Sequence, residues 1–217
     1  VTSDVPHDIL RVIEPMLKGP SGHYAEFVRA LAARAKGEFD AIEVFAAPRA
    51  EAFLPSLGGA VPVRGCAMPR GPGAEIRAVR RSLREGHRAL VLTANASHAL
   101  MAGTPAVLTA DELARLSLFV HWPLVKPAQR LALALAGRVR RRSLFLAPTR
   151  GVREALVEAE CAHVVQVAYP ATRAADARLR APFRHLLMAG AARINKGLDV
   201  VAELAECLAR DGRDLPL

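Results

Sequence analysis

Short apolar runs alternate with stretches of helical period along most of the chain. Residues 9–13 form the first run and predict a buried strand. A loop holding Pro15, Gly19, Pro20 and Gly22 follows, then a helix whose apolar stripe is Tyr24, Phe27, Val28, Leu31 and Ala35. Residues 40–47 and 61–66 read as the second and third strands, joined by a short helix over 48–57 that starts on Pro48. A Pro- and Gly-rich loop, 68–73, leads into a helix with Ile76, Val79 and Leu83 on one face. Further strands are predicted over 90–93, 116–121, 145–148 and 163–168. Between them lie a short helix or loop at 95–101, a helix at 126–142 with Leu131, Leu135 and Val139 on one face, and a helix at 152–160 with Thr149 as its N-cap. Strands alternating with helices at this spacing predict an α/β fold, a Rossmann-like parallel sheet with flanking helices, over residues 1–170.

The pattern lapses over 171–182, rich in Ala, Arg and Asp, which reads as a linker, and resumes in a second unit over 183–217. Leu186, Leu187 and Met188 form a short strand-like run ended by Gly190. A loop with Arg193, Asn195 and Lys196 comes next, and Gly197 opens a helix with apolar positions Leu198, Val201, Ala205 and Leu208. A strand passing through a Gly-bounded loop into a helix start gathers free N–H groups and the positive end of the helix dipole, an arrangement suited to anions. Arg193 and Lys196 add two cations at that spot.

Charge sharpens this expectation. Lys and Arg outnumber Asp and Glu to give a net +9, which calls for an anionic partner. Arg77, Arg80, Arg81 and Arg84 stand at i, i+3, i+4 and i+7 of one helix, so four guanidinium groups share a face suited to an anionic membrane surface or a phosphate-bearing acceptor. A second cluster, Arg138 and Arg140 to Arg142, closes the 126–142 helix, where cations also compensate the dipole. Cys66, Cys161 and Cys207 lack CxxC spacing and read as reduced structural thiols of the core. No HExxH or DxD pattern suggests a metal, and no cofactor is expected. The first residues lack the pattern of a signal peptide, and the apolar stretch 89–110 is interrupted by Asn95, Ser97, His98, Gly103 and Pro105. The expected location is therefore cytoplasmic, at most peripheral on the inner face of a membrane.

The stretch MAGAARINKGLDVVAEL, residues 188–204, resembles the first strand, loop and helix of the donor-binding domain of GT-B glycosyltransferases, particularly the family 4 type. The resemblance implies that Arg193 and Lys196 hold the diphosphate of a nucleotide-sugar. Two alanines separate Gly190 from Arg193, where many members of that family have the Arg directly after the Gly. The resemblance further implies that the loop ending in Gly22 and His23 faces the interdomain cleft, although Gly19-Pro-Ser-Gly22 replaces the usual glycine pair. By the same resemblance His121, in FVHWP, sits close to the donor sugar as the catalytic candidate. The implied activity is transfer of a sugar from a nucleotide diphosphate-sugar to an acceptor hydroxyl, with retention, in cell-surface polysaccharide or glycolipid biosynthesis. Its partners are a nucleotide-sugar and a carbohydrate or lipid-linked acceptor. The acidic motif of a complete donor domain is absent, so a truncated, inactive form is expected.

Two other readings remain open. One is a basic α/β nucleic-acid-binding or regulatory domain, which the charge allows; the arginines lie on helices without interleaved aromatics, so nucleic acid is not the expected partner. The other is a GT-B-type nucleotide-sugar epimerase.

Overall fold

A computed structural model describes residues 8–104, 107–122, 127–135, 142–168 and 198–211. The chain divides into two compact units, Val1–Thr172 and Arg173–Leu217. The first holds a seven-stranded sheet whose strands are β1 (Ile9–Ile13), β2 (Ala41–Ala46), β3 (Val63–Ala67), β4 (Arg88–Val91), β5 (Leu116–Phe119), β6 (Leu144–Ala147) and β7 (Val164–Gln166). They lie in the order β3-β2-β1-β4-β5-β6-β7, every neighbouring pair parallel. This is an α/β Rossmann-like sheet with flanking helices. The chain builds outward from β1 to β3, returns to place β4 beside β1, and then builds outward the other way.

Central strands of such a sheet are covered on both faces and so read as near-continuous apolar runs, interrupted here by the ion pair of Arg11 in β1 with Glu43 in β2. In β1, Leu10, Val12 and Ile13 are buried, and Ile42, Val44 and Phe45 are buried in β2. One face packs on α1 (His23–Arg34) through Phe27 and Val28, and on Leu54 and Leu57. The other packs on α2 (Ala74–Arg84), α3 (Ala96–Gly103), α4 (Ala110–Ala114) and α6 (Arg150–Glu158) through Val79, Leu83, Ala99, Leu113, Val152 and Leu156. A further helix, α5 (Pro127–Leu135), lies between β5 and β6 in sequence.

Some of these expectations are corrected, and one lies partly outside the described residues. The helix expected over 48–57 is two separate 3-10 turns, Pro48–Ala50 and Leu54–Leu57; Pro55 has no N–H to continue an α-helix across the segment. The helix expected over 126–142 is described as Pro127–Leu135, and residues 136–141, with Arg138, Arg140 and Arg141, lie outside the described residues. Helix α4, absent from the expectation, starts on a capping box in which Thr109 and Glu112 each accept from the other's backbone N–H. Of the cysteines, Cys161 is buried, Cys66 is half-buried and Cys207 is exposed, so Cys207 is not a core thiol.

Of the second unit, the helix Leu198–Arg210 is described, and it carries the apolar spacing expected of it. The linker 171–182, the run 186–188 and the cationic loop with Arg193 and Lys196 lie outside the described residues. No helix among the described residues is long and apolar enough to cross a membrane.

Candidate functional site

Where the strand order reverses, the connections after β1 and β4 leave the sheet in opposite directions and open a crevice at its carboxyl edge. The residues that close these two strands meet there. Glu14, directly after β1, is fully buried; its Oε1 accepts from the Met16 N–H at 2.8 Å and its Oε2 from the Thr93 hydroxyl at 3.1 Å. The first bond folds the Glu14–Leu17 turn, and the second ties β1 to the residue just past β4. Removal from water, with the Glu75 charge adding to it, pushes the Glu14 carboxyl up to about 7 against the pull of its two donors. Near neutral pH this group therefore changes its charge inside the protein.

Glu75, in the first turn of α2, faces the same edge, and burial raises its carboxyl too. His98, on α3, is 1% exposed. Its Nδ1 lies 3.1 Å from Oδ1 of Asn95, and its Nε2 lies 3.1 Å from Oε2 of Glu75, a distance for an ion pair but out of line for a hydrogen bond. Burial lowers the imidazole to about 4, so at neutral pH the pair is an uncharged ring against an acid. Asn95 and His98 form the N-terminal capping box of α3, with Asn95 Oδ1 accepting from the Ser97 N–H at 2.9 Å. Asn95→Ala is expected to cost about 1 kcal/mol, read as a lower urea midpoint with an unchanged slope.

His121 follows β5 by two residues and is held by a hydrogen bond to the Leu92 backbone. Its ring packs on Phe119 at a centroid distance of 4.8 Å and stands edge-on to His23 and Tyr24, each at 6.1 Å. Burial lowers the His121 imidazole, and the neighbouring His23 lowers it further, against the Leu92 bond. Burial lowers His23 as well. Gly22 precedes α1 with φ +93, a conformation an L side chain rarely adopts; an added Cβ would meet nothing within 4 Å. The glycine supplies that dihedral.

Thus His121 comes to lie beside the Gly22-His23 loop, far from it in sequence, next to the strand-order reversal. Arg77, Arg80, Arg81 and Arg84 lie along α2, where they line a separate groove with Pro69 and Glu85. Glu14, Thr93 and Glu75 belong to the same edge without any motif that marks them as site residues. The signal for Glu14 was a lone acid closing an apolar run immediately before a proline. Among the described residues no group of three or more His, Cys, Asp and Glu side chains is placed to hold a metal ion. What the crevice brings together is two imidazoles, a phenol and, buried behind them, one hydrogen-bonded carboxyl, Glu14, that exchanges its proton near neutrality.

No family model matches the sequence, and no curated protein matches it. Among solved structures the chain is similar to HepE from Anabaena in complex with UDP and glucose, at 14% identity and a TM-score of 0.47. It is similar also to HepE in complex with UDP, at 12% identity and a TM-score of 0.46. In both cases 75% of this chain is covered and 44% of the other, so the chain spans under half the length of those proteins.

Proposed function

We propose that this chain is the acceptor-side domain and the opening unit of the donor-side domain of a GT-B-type glycosyltransferase, which moves a sugar from a nucleotide diphosphate-sugar to an acceptor hydroxyl. The observation that carries the reading is the meeting of the residues after β1, β4 and β5 with the start of α1 at the strand-order reversal, where open α/β sheets take their ligands. The resemblance of residues 188–204 to the nucleotide-sugar unit of that family supports it from the other end of the chain.

In this mechanism Arg193 and Lys196 hold the donor diphosphate and stabilise the charge that builds on it as the glycosidic bond breaks. His121 and His23, their imidazoles kept neutral by burial, contact the sugar and the incoming hydroxyl. Glu14 acts through its bond to Met16, fixing the turn from which the Gly22 loop departs. The transfer retains the anomeric configuration, as the resemblance implies, and serves the assembly of a cell-surface polysaccharide or glycolipid at the cytoplasmic face of the membrane.

The test is release of nucleoside diphosphate from a panel of UDP-, GDP- and ADP-sugars by the protein from the complete reading frame. His121→Ala, assayed at a temperature where the variant stays folded, is expected to lower kcat about a hundredfold, since loss of one group aimed at developing charge costs that much. Lys196→Ala is expected to raise the donor KM. Failure of every donor, with tight and salt-sensitive retention of DNA or RNA on a filter, would replace this reading by the basic binding domain.

A further inference from the structure

We infer that the groove along α2 is a phosphate-binding site in its own right, separate from the crevice and independent of whether the crevice transfers sugar. Pro69, Arg77, Arg80, Arg81, Arg84 and Glu85 line it, with a volume of about 510 Å³. The four arginines are not equivalent. Arg77 donates to the backbone carbonyls of Arg70, Gly71 and Pro72, so it shapes the end of the groove and holds the loop after β3. Arg81 pairs with Oε1 of Glu85 at 2.9 Å.

Glu85 is the one acid of the lining, and it is already saturated. Its other oxygen takes the Arg11 guanidinium, which is itself 6% exposed and also bonded to Glu43 at 2.8 Å. Held by two cations, the Glu85 carboxyl stays below the usual carboxylate range and neutralises nothing further in the groove. That leaves Arg80 and Arg84, one turn apart on α2. The Nε–H of Arg80 is buried and has no partner among the described residues, and Arg84 is exposed on the same face.

The lining chooses the ligand chemistry. Guanidinium forks match the paired oxygens of a phosphate, and two neighbouring forks suit a dianion or a diphosphate. No aromatic side chain is present to stack a base or a sugar, and Pro69 alone is apolar, so the groove reads phosphate and ignores the rest of the molecule. Such a group is carried by a soluble phosphorylated molecule or by a phospholipid headgroup.

The experiment is a calorimetric titration of the whole chain with inorganic pyrophosphate at low salt. Saturable binding is expected, weakened by added salt and at least about tenfold weaker in the Arg80→Gln, Arg84→Gln double variant. Arg150→Gln, on an exposed arginine paired with Glu154 on α6, serves as the control and should bind as the parent does. If the double variant does not fold, Arg84→Gln alone, an exposed position, carries the same comparison. Because Arg193 and Lys196 are also assigned a diphosphate, the titration is repeated in Lys196→Ala. Binding retained there and lost in the groove variant supports the groove, and the reverse overturns it while leaving the donor assignment intact. Absence of saturable binding by the parent also overturns it. Co-sedimentation with phosphatidylcholine vesicles with and without phosphatidic acid then identifies the source. Retention that requires phosphatidic acid and is displaced by pyrophosphate assigns a lipid headgroup, and pyrophosphate binding without retention assigns a soluble ligand.

Discussion

Glu14→Gln is expected to melt later than the parent at pH 8 and together with it at pH 4. The Glu14 carboxyl is neutral more readily in the folded chain, with a value of about 7, than in the unfolded chain, near 4.5. A carboxyl raised in the folded state contributes its full stability below the unfolded value and loses it as pH rises through the folded one. The loss therefore runs from about pH 4.5 to 7 and is complete above it. For a shift of this size it amounts to about 3 kcal/mol at most. Glutamine never ionises, and it can replace both bonds, accepting from Met16 and donating to the Thr93 hydroxyl. The variant should gain about 5 °C or more in midpoint at pH 8. Urea midpoints measured across pH would check it; parallel curves for parent and variant would mean that Glu14 meets water in the folded protein.

His98 shapes the acid side of the same profile with the opposite sign. Its imidazole falls from 6.5 to about 4 on burial, so its contribution is present above the unfolded value and lost as pH falls through the folded one. Between about pH 4.5 and 6.5 the two slopes nearly cancel, so the parent is about equally stable across that range and loses a little stability on either side of it. In Glu14→Gln the alkaline loss disappears and the acid side steepens, because the His98 loss between about pH 6.5 and 4 is no longer offset by Glu14. Glu75, raised by burial, adds to the alkaline slope in the same direction as Glu14.

What could be read in the sequence follows how deeply each segment is buried. Strand β1 runs over Ile9–Ile13, as expected, because four of its five residues are apolar and the one charge, Arg11, is buried against Glu43 and Glu85. Edge strand β3 begins two residues later than expected, at Val63, which is also its one fully buried residue. With so little of the strand buried, its boundary leaves no apolar pattern. Helix α4 has five residues and one buried side chain, Leu113, too few to make a period, so its capping box was the signal available. Glu14 was hidden for a different reason. An acid next to a proline looks like the start of a solvated loop, and only the sheet, by placing Thr93 and the Met16 N–H around it, makes burial affordable and shifts its titration. The meeting of His23 with His121 depends on where α1 lies against β5, a tertiary relation that spacing along the chain does not encode.

Phe119→Ala is expected to produce the largest destabilisation and to disturb the crevice through the core. Phe119 is fully buried, its ring edge-on to Phe27 of α1 at 5.0 Å and tilted against His121 at 4.8 Å. It is therefore the contact through which β5 positions α1, whose first residue is His23, against His121. Truncating a buried phenylalanine costs about 3–5 kcal/mol, the lost transfer energy plus the cavity left behind. For a chain whose total stability is on the order of 5–15 kcal/mol, that is a large fraction of the whole. A fall in midpoint of about 10 °C follows. A second readout separates loss of packing from simple weakening. Burial is the main cause that lowers His121, so water admitted by the cavity should move its titration back toward the ordinary imidazole value, visible in the ring-proton shifts. Phe119→Leu keeps most of the volume and should show smaller changes in both measurements. An unchanged midpoint in Phe119→Ala would remove the ring from the core, and an unchanged His121 titration would mean that the imidazole owes its environment to the other walls of the crevice.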